Sequence, residues 1–191
     1  MVLQHMFQST PFSCGPCATL MCRSYFEDYS PSTIDELSLF ERARVAPNLD
    51  YTTHPQLGVY LMEQGYDVML MHEYETCFVR GNLPRESFHN RMKHYYFHKE
   101  LAEKKGMKTE IKEFNAQSIA ELVCQKDTVA ILLTKISDYS PIFHHILAYD
   151  ATGTSINIAD SNDGLRTIHI NALEKKMSLP NGRGALIVRK K

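Results

Sequence analysis

A cysteine and a glutamine near the start of the chain have the types and spacing of an acyl-transfer site. In the segment QSTPFSCGPC, Cys14 precedes Gly15 and Pro16, a pair that fits a tight entry into a helix. A thiol at a helix N-terminus faces the positive end of the helix dipole, which favours the thiolate. Gln8 lies six residues upstream. Its amide N–H and the backbone N–H of Cys14 are the two donors that an oxyanion hole requires.

A nucleophilic cysteine needs a base, and the stretch FHHILAYDATGTSINIADSNDG supplies a candidate. Two apolar runs flank DATGT, which predicts an antiparallel hairpin with its turn near Thr152. Symmetric pairing about that turn places His144 opposite Asp160, on the same face of the sheet. The hairpin therefore predicts His144 as the base and Asp160 as the carboxylate that orients its ring.

The neighbouring residues offer two alternatives to this pair. In the same register His145 lies opposite Ala159 and points to the other face, whereas a slip of one residue would favour His145 over His144. Asp150 is a poor orienting group, because six residues of extended strand separate it from His144 by roughly 20 Å.

The letters CGPC also permit a redox or a metal-binding interpretation. A thioredoxin dithiol lies at the end of a strand that pairs with earlier strands. Only 13 residues precede Cys14, too few to form those strands, and the chain has no Trp, so the thioredoxin interpretation is disfavoured. A zinc site would use Cys14, Cys17 and Cys22, yet no second CxxC cluster follows. His94 and His98 are spaced for one face of a helix, where a solvated pair is the simpler interpretation.

The composition narrows the class of protein. The chain has 191 residues with 21 Lys plus Arg and 22 Asp plus Glu, so its charge gives no case for nucleic acid or an anionic membrane as partner. No apolar run approaches the roughly 20 residues of a membrane span, and the N-terminus has no signal-peptide pattern. Five cysteines without an export signal predict reduced thiols and a cytoplasmic location. We expect a single domain over 1–191, with no cofactor and no metal, while the oligomeric state stays open.

The elements that must position these residues predict an α+β domain. Helices dominate the first two thirds of the chain and short strands the last third. The first helix opens at Cys14, and Thr33 and Glu36 have the spacing of a capping box for the second. A long helix is expected with Pro84 near its start and Gly106 just past its end.

With these residues in hand, the chain resembles cysteine peptidase family 39, the papain-like domains that remove double-glycine leaders from bacteriocins, and their stand-alone relatives. The likeness is carried by QSTPFSCGPC, by HHILAY, and by the sixteen-residue step from His144 to Asp160. It implies a papain-like cysteine protease fold, with the N-terminal helical part carrying the cysteine and a C-terminal antiparallel sheet carrying His and Asp. It also implies a catalytic set of Cys14, His144, Asp160 and Gln8, with His145 in a position that is aromatic in the family.

Two positions depart from the family pattern. Cys17 stands where a small residue is usual, and Ser161 follows Asp160 where a proline is usual. A buried small side chain is the expected role of Cys17, and an oxidisable partner of Cys14 is the alternative. We expect a free-standing domain without a transporter, and leader removal coupled to export is then not implied.

The expected activity is that of a peptidase or amidase acting on a peptide or on an acyl amide or thioester through an acyl-enzyme. Two alternatives stay open. One is a papain-fold acyltransferase that passes the acyl group to an amine. The other is an inactive relative that only binds peptides.

Overall fold

The computed structural model describes residues 3–46, 49–75, 85–136, 143–179 and 182–191. In chain order the elements are α1 (Cys14–Phe26), α2 (Thr33–Ala43), β1 (Arg44–Ala46), β2 (Leu49–Thr52), α3 (His54–Glu63), β3 (Asp67–His72), α4 (Arg85–Lys104), β4 (Lys108–Ile111), α5 (Ala116–Val123), β5 (Thr128–Lys135), β6 (Phe143–Thr152), β7 (Ser155–Asp160), β8 (Gly164–His169), α6 (Ile170–Met177) and β9 (Gly184–Arg189).

Seven of the described strands form one sheet in the order β4-β3-β9-β5-β6-β7-β8. The pair β3–β4 is parallel, and the other pairs are antiparallel. The part of the sheet that carries His144 and Asp160 is antiparallel, as predicted, and the parallel β3–β4 pair makes the sheet as a whole mixed. The α+β class and the segregation of helices toward the N-terminus are confirmed.

Side-chain alternation along β5 and β6 builds a core on each face of the sheet. On one face Ile131 and Leu147 pack with the apolar side of α1, including Leu20. On the other face Leu132 and Ile146 pack with residues of α5 and α6. Successive residues of β6 thus project to opposite sides, and α1 covers only one of them.

The start of α2 differs by one residue from the predicted capping box. Ser32 is the N-cap, and its side chain accepts from the Asp35 N–H while the Asp35 carboxylate accepts from the Ser32 N–H. Shifting the box from Thr33 to Ser32 leaves Glu36 free of a capping role, and its side chain is fully buried. The short hairpin β1–β2 was not predicted. Pro84, expected at the start of the long helix, lies outside the described residues.

The β6–β7 hairpin forms, but its register differs from the symmetric prediction. Leu147, not His145, lies opposite Ala159, so the pairing is displaced by two residues. The turn follows Thr152, which pairs with Ser155, and this later turn shifts the register by three residues. An irregularity between Tyr149 and Ala151, where Asp150 has a φ of 58°, reduces the shift to two. A displacement of two residues keeps every side chain on its predicted face.

Candidate active site

Cys14 is the first residue of α1, where the helix N-terminus is left open. Ser13 occupies the N-cap, but its side chain makes no capping hydrogen bond. Its hydroxyl instead donates to the Glu36 carboxylate, and its oxygen lies 3.1 Å from the Thr10 carbonyl oxygen. Because the cap hydroxyl is used elsewhere, the first-turn N–H groups near the thiol are not taken by it.

His144 and Asp160 form a buried pair at the end of the hairpin. The His144 Nε2–H donates to Asp160 Oδ1 at 2.7 Å, and each residue is only 3% exposed. The carboxylate also accepts from the Asn162 N–H at 2.9 Å and from Arg166 Nη2 at 3.3 Å. These bonds fix the carboxylate, and through it the orientation of the His144 ring.

The ionisation of the thiol and of the ring follows from this packing. Burial by itself would raise the pKa of the Cys14 thiol, but hydrogen bonding and charge from His144 and His145 lower it to about 5. Burial by itself would lower the pKa of His144, but its bonds to Asp160 and Cys14 raise it to about 9. Between these two values the favoured state is a Cys14 thiolate beside a His144 imidazolium. Burial opposes the charge on Asp160, but the bond from His144 holds the pKa of that carboxyl below its ordinary value.

His145 also reaches the thiol, which corrects the expectation that it points away from the site. Its Nδ1 lies 3.6 Å from Cys14 Sγ. The side chains of His144 and His145 leave β6 on opposite faces, but both residues are near the start of that strand. The sulfur lies at this end of the sheet, so rings from both faces meet it.

Gln8 belongs to an N-terminal segment that is bonded to the end of β7. His5 Nε2 donates to the Asp160 carbonyl at 2.8 Å, and the Gln8 N–H donates to the Ser161 carbonyl at 3.1 Å. The Ser161 hydroxyl donates to Gln8 Oε1 at 2.8 Å, and Gln8 Nε2 donates to the Thr10 carbonyl at 2.9 Å. These contacts place Gln8 beside the end of β7, which carries Asp160. That the Gln8 amide and the Cys14 N–H together form an oxyanion hole stays a prediction.

Glu36 is a site-supporting residue that the sequence did not reveal. Its Oε1 accepts from the Ser9 N–H at 2.7 Å and from the Ser13 hydroxyl. The buried Glu36 side chain therefore connects the segment from Gln8 to Cys14 with α2 through hydrogen bonds. The available signal was the Ser32–Asp35 capping box, which leaves Glu36 on the inner side of the helix.

Cys17 lies in the core, fully buried and with a free thiol. Burial raises its pKa, and the nearby Glu36 raises it further. This agrees with a small buried side chain, while a regulatory disulfide with Cys14 stays a prediction. The described residues contain no group of three or more His, Cys, Asp or Glu side chains placed to hold a metal ion. Cys22, the third cysteine of the zinc alternative, is also fully buried.

No family model and no curated protein sequence matches the chain. Solved structures do. The peptidase domain of Streptococcus ComA, a bi-functional ABC transporter of a quorum-sensing pathway, aligns over 100% of both chains with a TM-score of 0.57 and 9% identity. A double glycine motif protease from an AMS/PCAT transporter, solved with its leader peptide, aligns over 100% of this chain and 93% of its own, with a TM-score of 0.56 and 10% identity.

The chain has a papain-like fold. The resemblance drawn from the three sequence motifs is thereby confirmed at the level of the fold, because identities this low show the fold alone. None of the described helices combines the length and apolar character that a membrane crossing requires.

Proposed function

We propose that this protein is a cysteine hydrolase that cleaves peptide or related amide bonds through an acyl-enzyme. The observation that carries the proposal is the buried His144–Asp160 bond of 2.7 Å beside a thiol whose pKa is lowered to about 5. A cysteine nucleophile, a base and a carboxylate that orients the base are the groups such chemistry uses. The shared fold with peptidase domains supports the same reaction class.

In the acylation step the Cys14 thiolate attacks the carbonyl carbon of the substrate. The Cys14 N–H and the Gln8 amide stabilise the negative charge that develops on the carbonyl oxygen. The C–N bond then breaks, and the His144 imidazolium gives its proton to the departing amine. The acyl group is now a thioester on Cys14.

In the deacylation step His144 takes a proton from water as the water attacks the thioester. The C–S bond breaks, the sulfur leaves with the electron pair as a thiolate, and the acid product departs. Asp160 stays ionised throughout and stabilises the imidazolium that is present when acylation begins and forms again in deacylation.

The proposed substrates are peptides. One similar structure holds a leader peptide and is named for a double glycine motif. We therefore choose model peptides that contain Gly-Gly as the first substrates, together with peptides that lack it.

Cleavage is followed by mass spectrometry with the wild-type chain, Cys14→Ala and a matched control, Cys17→Ala. The control removes the other thiol of CGPC, which is buried in the core. We expect cleavage by the wild type and by Cys17→Ala, and none by Cys14→Ala. Cleavage that survives in Cys14→Ala, or no cleavage of any peptide by the wild type, would contradict the proposal. Products joined to an added amine in place of water would identify an acyltransferase.

A further inference from the structure

His145 is placed against the sulfur by features from three elements. Strand alternation directs it to the face of the sheet that α1 covers, and it is only 6% exposed. Gly15 leaves the space that the ring occupies, because a Cβ there would lie 3.3 Å from His145 Nδ1 and 2.3 Å from Thr52 Oγ1. A larger residue after Cys14 would therefore clash with Thr52 and press against the His145 ring, so glycine is the residue that fits between them.

The far side of the His145 ring is held by a second imidazole. His54, the first residue of α3, packs against it edge to face, with ring centroids 5.1 Å apart and an interplanar angle of 74°. His54 is 1% exposed, and burial lowers its pKa well below the ordinary value. The neighbouring ring is thus neutral, and it confines His145 without adding a charge.

The two histidines beside Cys14 have different surroundings. His144 is bonded to the Asp160 carboxylate, which supports a positive ring as it gains and loses a proton. The neighbours of His145 are the Cys14 sulfur and the neutral ring of His54. Among the described residues, the titratable side chains around the sulfur are His144 and His145 from β6 and Cys17 from α1. Farther out are Asp160 from β7, His54 from α3 and Glu36 from α2, which acts on Cys17.

We propose that His145 is a second hydrogen-bond donor to the nucleophile, holding the Cys14 sulfur as a thiolate through its Nδ1–H while His144 alone transfers protons. The bond needs only the Nδ1 proton, and His145 keeps that proton throughout. In acylation the bond orients the attacking sulfur. In deacylation it accommodates the electron pair that the sulfur takes from the breaking C–S bond.

The catalytic meaning of this bond rests on the proposed function, but the bond itself does not. The test is the pH dependence of Cys14 alkylation by iodoacetamide, located by peptide mass mapping, in the wild type, His145→Phe and His145→Asn. Phenylalanine keeps a ring without the donor, and asparagine keeps an N–H near the position of Nδ1. Loss of one hydrogen bond to a charged group corresponds to a rise in the midpoint of about one to two pH units.

We expect that rise in His145→Phe, and a midpoint in His145→Asn that stays close to the wild type. An unchanged midpoint in His145→Phe would overturn the inference. Equal rises in both variants would also overturn it, because they would reflect lost packing and not a lost donor. Thermal unfolding checks that each variant folds, and His145→Leu replaces the phenylalanine variant if that one does not.

Peptide cleavage by the same proteins separates this inference from the proposed function. A wild type that cleaves no peptide, with the midpoint shift intact, would remove the hydrolase and keep the bond. Normal cleavage with no shift in His145→Phe would remove the bond and keep the hydrolase.

Discussion

The two sides of the Cys14 sulfur are built differently. On the hairpin side, His144 and Asp160 are each 3% exposed and the carboxylate accepts from three partners. On the N-terminal side, Gln8 is half-buried and is held by bonds to Thr10 and Ser161. The hairpin side holds full charges, which burial disfavours and which therefore need hydrogen bonds and a fixed counter-charge. The N-terminal side offers only an amide dipole, which needs direction.

The difference predicts which kinetic property each side controls. Removing a group from the hairpin side changes the ionisation of the thiol and therefore its pH dependence. Removing the amide of Gln8 changes only the stabilisation of the oxyanion in the transition state. Alkylation of Cys14 and peptide cleavage together separate these two effects.

The largest effect is expected for His144→Ala, on the hairpin side. Loss of a general acid–base lowers kcat/KM by roughly 10²–10⁴-fold, and alkylation of Cys14 should slow as well, because the pKa of the thiol rises. The matched control is His94→Ala, which removes an exposed histidine of α4. A cleavage rate in His144→Ala equal to that of the control would show that His144 is not the base.

Gln8→Ala should lower kcat by about 10²–10³-fold, the usual cost of one oxyanion donor. The alkylation profile of Cys14 should stay unchanged, because the amide does not set the charge on the sulfur. Gln4→Ala is the control, since Gln4 is exposed in the same segment. A shifted alkylation midpoint in Gln8→Ala would break the distinction between the two sides.

Asp160→Asn keeps the shape of the orienting group and removes its charge. The raised pKa of His144, about 9, should then fall toward the ordinary value. Cleavage needs the protonated ring, so the high-pH limb of the pH–rate profile should move down by about one to three units. Asp163→Asn serves as the control, because that exposed carboxylate is bonded to Arg166 and not to the ring. If the high-pH limb of Asp160→Asn stays at the wild-type position, Asp160 does not stabilise the His144 imidazolium.

The smallest effect is expected for Ser161→Ala, which removes the bond that orients the Gln8 amide. A single neutral hydrogen bond contributes about 0.5–1.5 kcal/mol, or about a 2- to 10-fold loss in kcat. Ser161→Thr keeps the hydroxyl and should restore most of the rate. If both variants behave like the wild type, Ser161 plays no part in placing Gln8.

The sequence predicted the parts of this site that depend on local pattern. The opening of α1 at Cys14 follows from the Gly-Pro entry, and the bounds of β7 follow from apolar alternation between turn residues. The contact of His144 with Asp160 was reached because a two-residue error in register leaves each side chain on its face.

The missed features depend on contacts between distant segments. The irregularity at Asp150 has a positive φ, a conformation that glycine usually indicates in a sequence. The residue here is an aspartate, so nothing in the sequence indicated it. The bonds of Glu36 to the Cys14 segment span more than twenty residues. The approach of His145 to the sulfur depends on where the N-terminus of α1 lies over the sheet, which no local pattern encodes.

The most direct test of the account is the ultraviolet absorbance of the Cys14 thiolate, taken as the difference between wild type and Cys14→Ala across a pH titration. We predict a single thiolate that appears with a midpoint of about 5 and persists at all higher pH, while the ion pair ends near pH 9, where His144 loses its proton. A midpoint near the ordinary thiol value of 9.0 would contradict it, because Cys14 would then have no paired imidazolium and no catalytic ion pair.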